Sequence, residues 1–444
     1  MEPNKKFLTQ RALNFWLLGL SYSVLYFCRF NLSSAHAVLS KFFTGWDYTT
    51  YGTIIGTALF IYGLTGFFSG PICDRFGGKK AILIGMFGSF ICNLLFGATY
   101  LLVNNGYSTP TLAYGLAFSD LLSIMTLIWS TNYFFQSFGS LSVVKINSAW
   151  YTKQERGLFA GKFGTLIQLG RILVLIACPW LIYKLPWPFA FFVPAFFLLI
   201  MMFAVWQLVE NKPEDIGLTY GEETKKLSFI EGYKSILKSS LLPIIIGAIC
   251  VALFNGMIRN GIEHYLSRFF VDQFGLKKTE LALFFPYVLY GLLTPGFMML
   301  SSIISGPSSD RFFQSRRFPI IMGSFFLVII GLVCLMFDMK NPYFSTAFLI
   351  FTMFSLQAVN NILMGTLTAD LAGKELSGTV AGTFDGVQYM GGSVAGFGIG
   401  YVLNRTNDWH YWPAVLLIPA ILAFLLSAVL TRKEKNDYEL SKSI

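Results

Sequence analysis

Runs of about 20 or more apolar residues recur along the whole chain, and each is long enough to cross a ~30 Å hydrocarbon core as a helix. About twelve such spans are expected, near 11–38, 51–73, 81–102, 119–148, 158–182, 186–209, 240–270, 281–308, 318–338, 343–370, 377–403 and 410–431. A chain of 444 residues that is 55% hydrophobic and 13% charged cannot cover itself with a polar surface in water. The runs are continuously apolar rather than alternating in ~10-residue strands, which argues against a membrane β-barrel. The expected fold class is therefore an all-α integral membrane protein of twelve transmembrane helices.

A net charge of +10 could suit nucleic acid, but its distribution follows the membrane instead. Of 33 lysines and arginines, 21 fall in the N-terminus, the even-to-odd loops and the C-terminus, and six in the opposite loops. That bias places both termini in the cytoplasm. No nucleic-acid partner is expected; the bilayer is. All six cysteines lie in or beside apolar runs without metal or disulfide spacing, and read as packing residues. The N-terminal apolar run outlasts a signal peptide, so it is expected to remain on the chain. No Walker-type motif supports an ATP-driven pump, no cofactor or metal is implied, and an enzyme is not expected.

One sizeable polar segment, 210–239, divides the spans six and six. The expected organisation is an N-terminal half at 1–209, a cytoplasmic linker at 210–239, a C-terminal half at 240–433 and a tail at 434–444. Landmarks repeat across the linker. Asp74-Arg75-Phe76-Gly77-Gly78-Lys79-Lys80 is echoed by Asp310-Arg311-Phe312 with Arg316 and Arg317. Lys153-Gln154-Glu155-Arg156-Gly157 is echoed by Lys374-Glu375-Leu376-Ser377-Gly378. Arg29 and Arg259, each inside an apolar span, form the third pair. A cation near the middle of a membrane helix costs at least ~2.5–3.5 kcal/mol on insertion scales, so it normally faces a polar cavity. A guanidinium stays charged when desolvated and forks onto two anionic oxygens. Parallel six-span repeats place a substrate near the midplane between halves.

The D-R-x-G loop with two six-span halves resembles the major facilitator superfamily. Within it, Tyr22-x-x-x-Tyr26-x-x-Arg29-x-Asn31, Trp150 through Gly157, Arg259-x-Gly261-Ile262, Gly378 through Gly382 and Tyr389 through Ala395 are similar to the organophosphate:phosphate antiporters, carriers of glycerol phosphate and hexose phosphates. The resemblance implies that Arg29 and Arg259 bind phosphate and that Tyr22 and Tyr26 line the site. Gly66 and Ile167 stand where the family usually carries a lysine and a histidine. Span five offers Lys162 and Arg171 instead, on opposite helix faces by spacing. Lys162, nearer the cytoplasmic entrance, is the expected compensating cation.

Other polar residues inside spans are candidates by position. Asn255, Arg259 and Glu263 form a stripe at i, i+4 and i+8. Glu263 is expected to neutralise Arg259 in the empty state or to carry a coupled proton, with pairing to Arg268 as the structural alternative. His264 could titrate near neutral pH. Asp385 and Gln388 share a face, and Asn132 and Gln136 could bind substrate hydroxyls or join helices. Asp74, Arg75, Asp310 and Arg311, with Glu155, Arg156, Glu375 and Lys145 as partners, are assigned by the resemblance to ion pairs that close the cytoplasmic side. The glycines of span eleven read as packing positions.

The expected function is alternating-access transport of a small organic anion, a phosphate ester exchanged for inorganic phosphate, by a monomer in the inner membrane. Proton-coupled symport of a carboxylate and sensing of a sugar phosphate without flux are the competing expectations.

Overall fold

A backbone in hydrocarbon must satisfy its own hydrogen bonds, so apolar runs of this length become helices. The computed structural model describes residues 5–43, 45–104, 121–151, 155–218 and 241–443. The side chains of Asp74, Arg75, Arg156, Lys162 and Glu375 lie outside those described, as does most of the expected linker.

In chain order the α-helices are α1 Lys5–Leu39, α2 Tyr48–Phe76, α3 Gly78–Asn104, α4 Leu121–Trp150, α5 Arg156–Ile172, α6 Cys178–Lys184 and α7 Phe189–Leu208. There follow α8 Leu242–Gln273, α9 Phe285–Phe313, α10 Phe318–Phe337, α11 Pro342–Asn361, α12 Thr368–Thr406 and α13 Tyr411–Ser443. A π turn, Leu173–Ala177, joins α5 to α6, and a second, Ile362–Leu367, joins α11 to α12. The described residues contain nine segments long and apolar enough to span a membrane. The three long helices outside that set, α1, α4 and α12, correspond to expected spans one, four and eleven. The sequence predicts a connection near 371–376, but helical backbone continues through it. Leu371, Ala372, Lys374, Glu375 and Leu376 favour helix, and no proline interrupts them.

The chain divides into two compact units: residues 1–50, 68–224 and 276–284 form one, and 51–67, 225–275 and 285–444 the other. In the first unit α1 packs on α4, α5 and α7, while α3 packs on α4 and α7. Its core is aromatic: Phe96 lies 4.6 Å from Phe191 and 5.0 Å from Trp129 between ring centroids. At the start of α1, Arg11 pairs with Glu155 at 2.7 Å, and Asn14 donates to the Glu210 carbonyl at 2.9 Å. Lys6 reaches the Ile216 carbonyl at 2.9 Å, tying the turn after α7 to α1.

In the second unit α8 packs on α12 and α13, α10 on α11 and α13, and α9 on α11. The glycine-rich face of α12 permits a close approach. A Cβ at Gly256 of α8 would collide with the Gln388 carbonyl of α12. The 51–67 portion of α2 meets α12 in the same manner, with Gly52 against the Gly396 carbonyl and the tilted rings of Tyr62 and Tyr389 3.9 Å apart between centroids. Among the span-eleven glycines, Gly391 and Gly392 lie against Leu253 and Asn260 of α8 and Gly396 lies against Gly56 of α2, so packing is their role at these contacts.

Candidate functional site

Tyr22, Tyr26 and Arg29 fall on one face of α1 because four- and three-residue steps return to the same side of a helix. Arg29 is 0% exposed. Its Nε donates to Gln136 Oε1 on α4 at 2.8 Å, and its Cζ lies 5.0 Å from the centre of the Tyr26 ring. The amide of Gln136 has no freedom to turn away. Its Nε2 donates to Ser89 Oγ on α3 at 3.0 Å, and Ser89 Oγ in turn donates to Asn132 Oδ1 at 2.6 Å. Asn132 and Asn93 then donate to the Cys28 carbonyl at 3.0 and 3.2 Å. Asn31 completes the ladder by donating to Asn93 at 2.9 Å. All these polar side chains are fully buried.

Donor and acceptor assignments agree at every step of this ladder, so the Gln136 oxygen is the atom turned toward the guanidinium. Of the two sequence alternatives, Asn132 and Gln136 therefore join helices and orient Arg29. Ser89 and Asn93 were not singled out from the sequence, although a polar pair at i, i+4 in an otherwise apolar run was the available signal.

Tyr26 is shared by a second cation. The Arg171 guanidinium of α5 lies 5.8 Å from the same ring centre, one residue before the end of that helix and just ahead of the first π turn. Arg171 is thus a span-five cation brought beside Arg29 through a common ring; the Lys162 side chain lies outside those described. Tyr22 lies 5.4 Å from Tyr26 and is buried against it.

The second unit repeats the plan. Arg259 of α8 is 8% exposed, and its Nη1 donates to Asn360 Oδ1 on α11 at 3.2 Å. The amide partner is 107 residues downstream of Arg29 and 101 downstream of Arg259, so the repeat carries the acceptor along with the cation. Asn360 is the penultimate residue of α11, beside the second π turn, and its neighbour Asn361 anchors that end to Ser305 Oγ on α9 at 2.8 Å. Among the described residues Arg259 Nε donates no hydrogen bond, and no carboxylate pairs with this guanidinium. Glu263 therefore does not neutralise Arg259 as the sequence suggested, even though it stands one helical turn away.

The remaining candidates separate. Arg268 pairs with Asp272. Gln388 accepts from Asn255 Nδ2 at 3.3 Å, joining α12 to α8. Asp385 is half-buried on the same helix. The His264 carbonyl accepts from Tyr51 OH at 2.8 Å, and the imidazole is buried.

Comparison of the whole chain with known proteins decides the family. Residues 18–396 match the family described as the Major Facilitator Superfamily. The chain belongs to the major facilitator superfamily. This facilitator is 26% identical over 427 residues to the glycerol-3-phosphate transporter of Bacillus subtilis, covering 92% of this chain and 90% of that one. It is 24% identical over 443 residues to the membrane sensor protein UhpC of Salmonella typhimurium, at 93% and 89% coverage. Its fold is similar, at a TM-score of 0.72 and 13% identity, to a bacterial homologue of the human lysosomal transporter Spinster in an inward-facing, unoccupied conformation, covering 98% and 99% of the two chains.

The charged loops of this facilitator are only partly as expected. Asp310 pairs with Arg317 Nη1 at 2.7 Å, and Arg317 Nε reaches Asp370 at 2.7 Å. Arg311 is exposed against Phe312 and forms no ion pair among the described residues. Arg317, not Arg311, is thus the described partner of Asp310. Its position explains this: Gln314 and Ser315 turn the chain with φ of 56° and 62°, which brings Arg317 back over Asp310. Burial pulls the Arg317 guanidinium down, but its bonds to Asp370 and Asp310 hold it above its ordinary pKa. Glu434 accepts from the Arg317 and Phe318 backbone N–H groups at 2.9 and 3.2 Å, a carboxylate at the N-terminus of α10. In the first unit Glu155 pairs with Arg11, and Lys145 Nζ donates to the Cys73 carbonyl at 2.7 Å near the end of α2.

Proposed function

We propose that this facilitator exchanges a phosphate ester for inorganic phosphate by alternating access, with Arg29 and Arg259 as the anion ligands. The observation that carries the reading is Arg259, a buried guanidinium whose described partner is a neutral amide. Desolvated cations are costly in a membrane protein unless an anion meets them, and a phosphate dianion supplies the forked oxygens that a guanidinium fits. The two buried arginines and their amide acceptors recur in the two units, and each guanidinium suits an anionic ligand. The relative named as a glycerol-3-phosphate transporter supports a phosphate ester as the ligand class.

Tyr22 and Tyr26 form the apolar wall beside Arg29, and Arg171 replaces the basic residues absent at Gly66 and Ile167. Asp385 selects among substrates, and Glu263 and His264 serve coupling. Arg317 with Asp310 and Asp370, and Lys145 at the end of α2, belong to the switching machinery. The protein functions as a monomer in a bacterial inner membrane, with both termini cytoplasmic.

Proteoliposomes loaded with radiolabelled phosphate test the reading. External glycerol phosphate or a hexose phosphate should drive efflux with no ion gradient, and Arg259→Ala should abolish it. Efflux that never responds to any ester, alongside accumulation of a carboxylic acid only under a proton gradient, would replace the proposal with symport. Ester binding without flux would favour the sensor reading that the second relative raises.

A further inference from the structure

We infer that a groove between α3, α4 and α7 is a binding site for an anionic phospholipid. The cavity has a volume of about 810 Å³, and every residue lining it is apolar. Ile84 and Phe87 of α3 form one wall, and Ile200, Phe203 and Trp206 of α7 the other. Phe135 of α4 is the floor. Its ring rests on Gly88, where a Cβ would collide with it, so the floor sits deep because α3 lacks a side chain there. The volume falls within the ~300–1,000 Å³ range of pockets that enclose a small ligand. A smooth lipid-facing helix surface would offer no such recess.

The ends of the groove differ in chemistry. α3 begins where α7 finishes: the Lys79 backbone N–H donates to Asn211 Oδ1 at 2.7 Å, just past the last turn of α7. Lys80 is exposed at that end, and stands three, four and seven residues before Leu83, Ile84 and Phe87, on the same helical stripe. It forms no ion pair among the described residues, whereas Lys79 already lies 3.9 Å from Glu210. Trp206, 56% exposed, stands at the same level near the end of α7. A lysine that snorkels toward the headgroup region and a tryptophan beside it mark the membrane boundary. The charge bias of the loops puts this end in the cytoplasmic leaflet, which is the leaflet rich in anionic lipid.

One occupant meets all these requirements. Its phosphate sits at Lys80 and the first turn of α3, where the helix dipole also favours an anion, and its acyl chains fill the groove below.

Tryptophan quenching by lipids brominated in the acyl chain gives the test. Wild-type protein and Trp206→Phe are placed in phosphatidylcholine vesicles containing increasing fractions of brominated phosphatidylglycerol or brominated phosphatidylcholine, and their difference isolates Trp206. One lysine near the surface should give about a 5-fold preference for the anionic lipid. Lys80→Gln, read against the double variant Lys80→Gln with Trp206→Phe, should remove that preference while leaving quenching itself intact. Equal quenching by the two lipids in the wild type, or a preference that survives Lys80→Gln, would reduce the groove to ordinary annular contact. Absence of quenching by either lipid would mean that something else covers the groove, such as a second copy of the chain, and would also overturn the inference.

Discussion

Replacing Gln136 with glutamate should abolish anion binding without unfolding the protein. The Gln136 oxygen accepts from Arg29 Nε at 2.8 Å, and the opposite end of the same side chain is held by Ser89. Glutamate has the same length and shape, so it places a carboxylate against the guanidinium. Two unit charges about 4 Å apart attract by roughly 4 kcal/mol at an effective dielectric constant near 20. That is the attraction Arg29 would otherwise offer the substrate. Redirecting it costs about three orders of magnitude in affinity. Gln136→Met separates charge from geometry, because it keeps the volume and removes only the acceptor. A hydrogen bond to a charged group contributes about 1.5–3 kcal/mol, so this variant should bind roughly 10- to 100-fold more weakly through loss of orientation. Equilibrium binding of radiolabelled phosphate to purified protein measures both variants, with thermal unfolding in the same detergent as the check on folding. If Gln136→Glu bound phosphate as tightly as the wild type, Arg29 would not be a ligand for the anion.

Arg259→Lys should weaken phosphate binding roughly 10-fold or more in the same assay, because an ammonium cannot hold Asn360 and fork onto an anion together. Arg171→Gln should lower affinity more for phosphate esters carrying a second acidic group than for inorganic phosphate, measured by competition, since its guanidinium shares the Tyr26 ring with Arg29. Arg317→Ala should lower the melting temperature by several degrees, consistent with about 1–2 kcal/mol for two half-exposed ion pairs, whereas Arg311→Ala should change it little. Gly256→Ala should destabilise the protein by about 1–3 kcal/mol through collision with α12, while Gly296→Ala, which meets no atom within 4 Å, should be neutral or slightly stabilising in a thermal melt.

The membrane helices and the two arginines were legible because apolar run length and an isolated buried charge are one-dimensional signals. The acceptors of those arginines were less so. Gln136 could be named as polar and in a span, but nothing local shows that its oxygen rather than its nitrogen faces Arg29; that follows from Ser89, 47 residues away. Asn360 stands in a stretch where Gln357, Asn360 and Asn361 are all polar, and only packing separates the partner of Arg259 from the anchors of α9. Helical spacing separates Lys162 from Arg171 on span five, but could not tell that Arg171 meets Tyr26. The exchange of Arg311 for Arg317 has another cause. The echo of Asp74-Arg75 in Asp310-Arg311 is a correspondence of letters, whereas the ion pair depends on a left-handed turn at Gln314 and Ser315 that neither residue type announces.

The three long helices that fall short of span-like apolarity, α1, α4 and α12, carry Arg29, the Asn132 and Gln136 pair, and Asp385 with Gln388. Polar groups in a membrane helix are costly unless partnered, so each one needs a reason to be there. The hydrogen bonds divide those reasons into two kinds. Asn31, Asn93, Asn132 and Ser89 are satisfied within their own unit by each other and by the Cys28 carbonyl, so their polarity is spent on holding α1, α3 and α4 in register. Such residues give the guanidinium a fixed direction while contributing no charge of their own. Arg259 belongs to the second kind, because the described unit supplies a neutral acceptor and leaves its charge to be met by something else. Polarity along the sequence therefore locates both scaffold and ligand. It is the subtraction of internally satisfied groups that leaves the guanidinium of Arg259 as the group to test for an anion ligand, and an arginine with a downstream amide acceptor recurs in each unit.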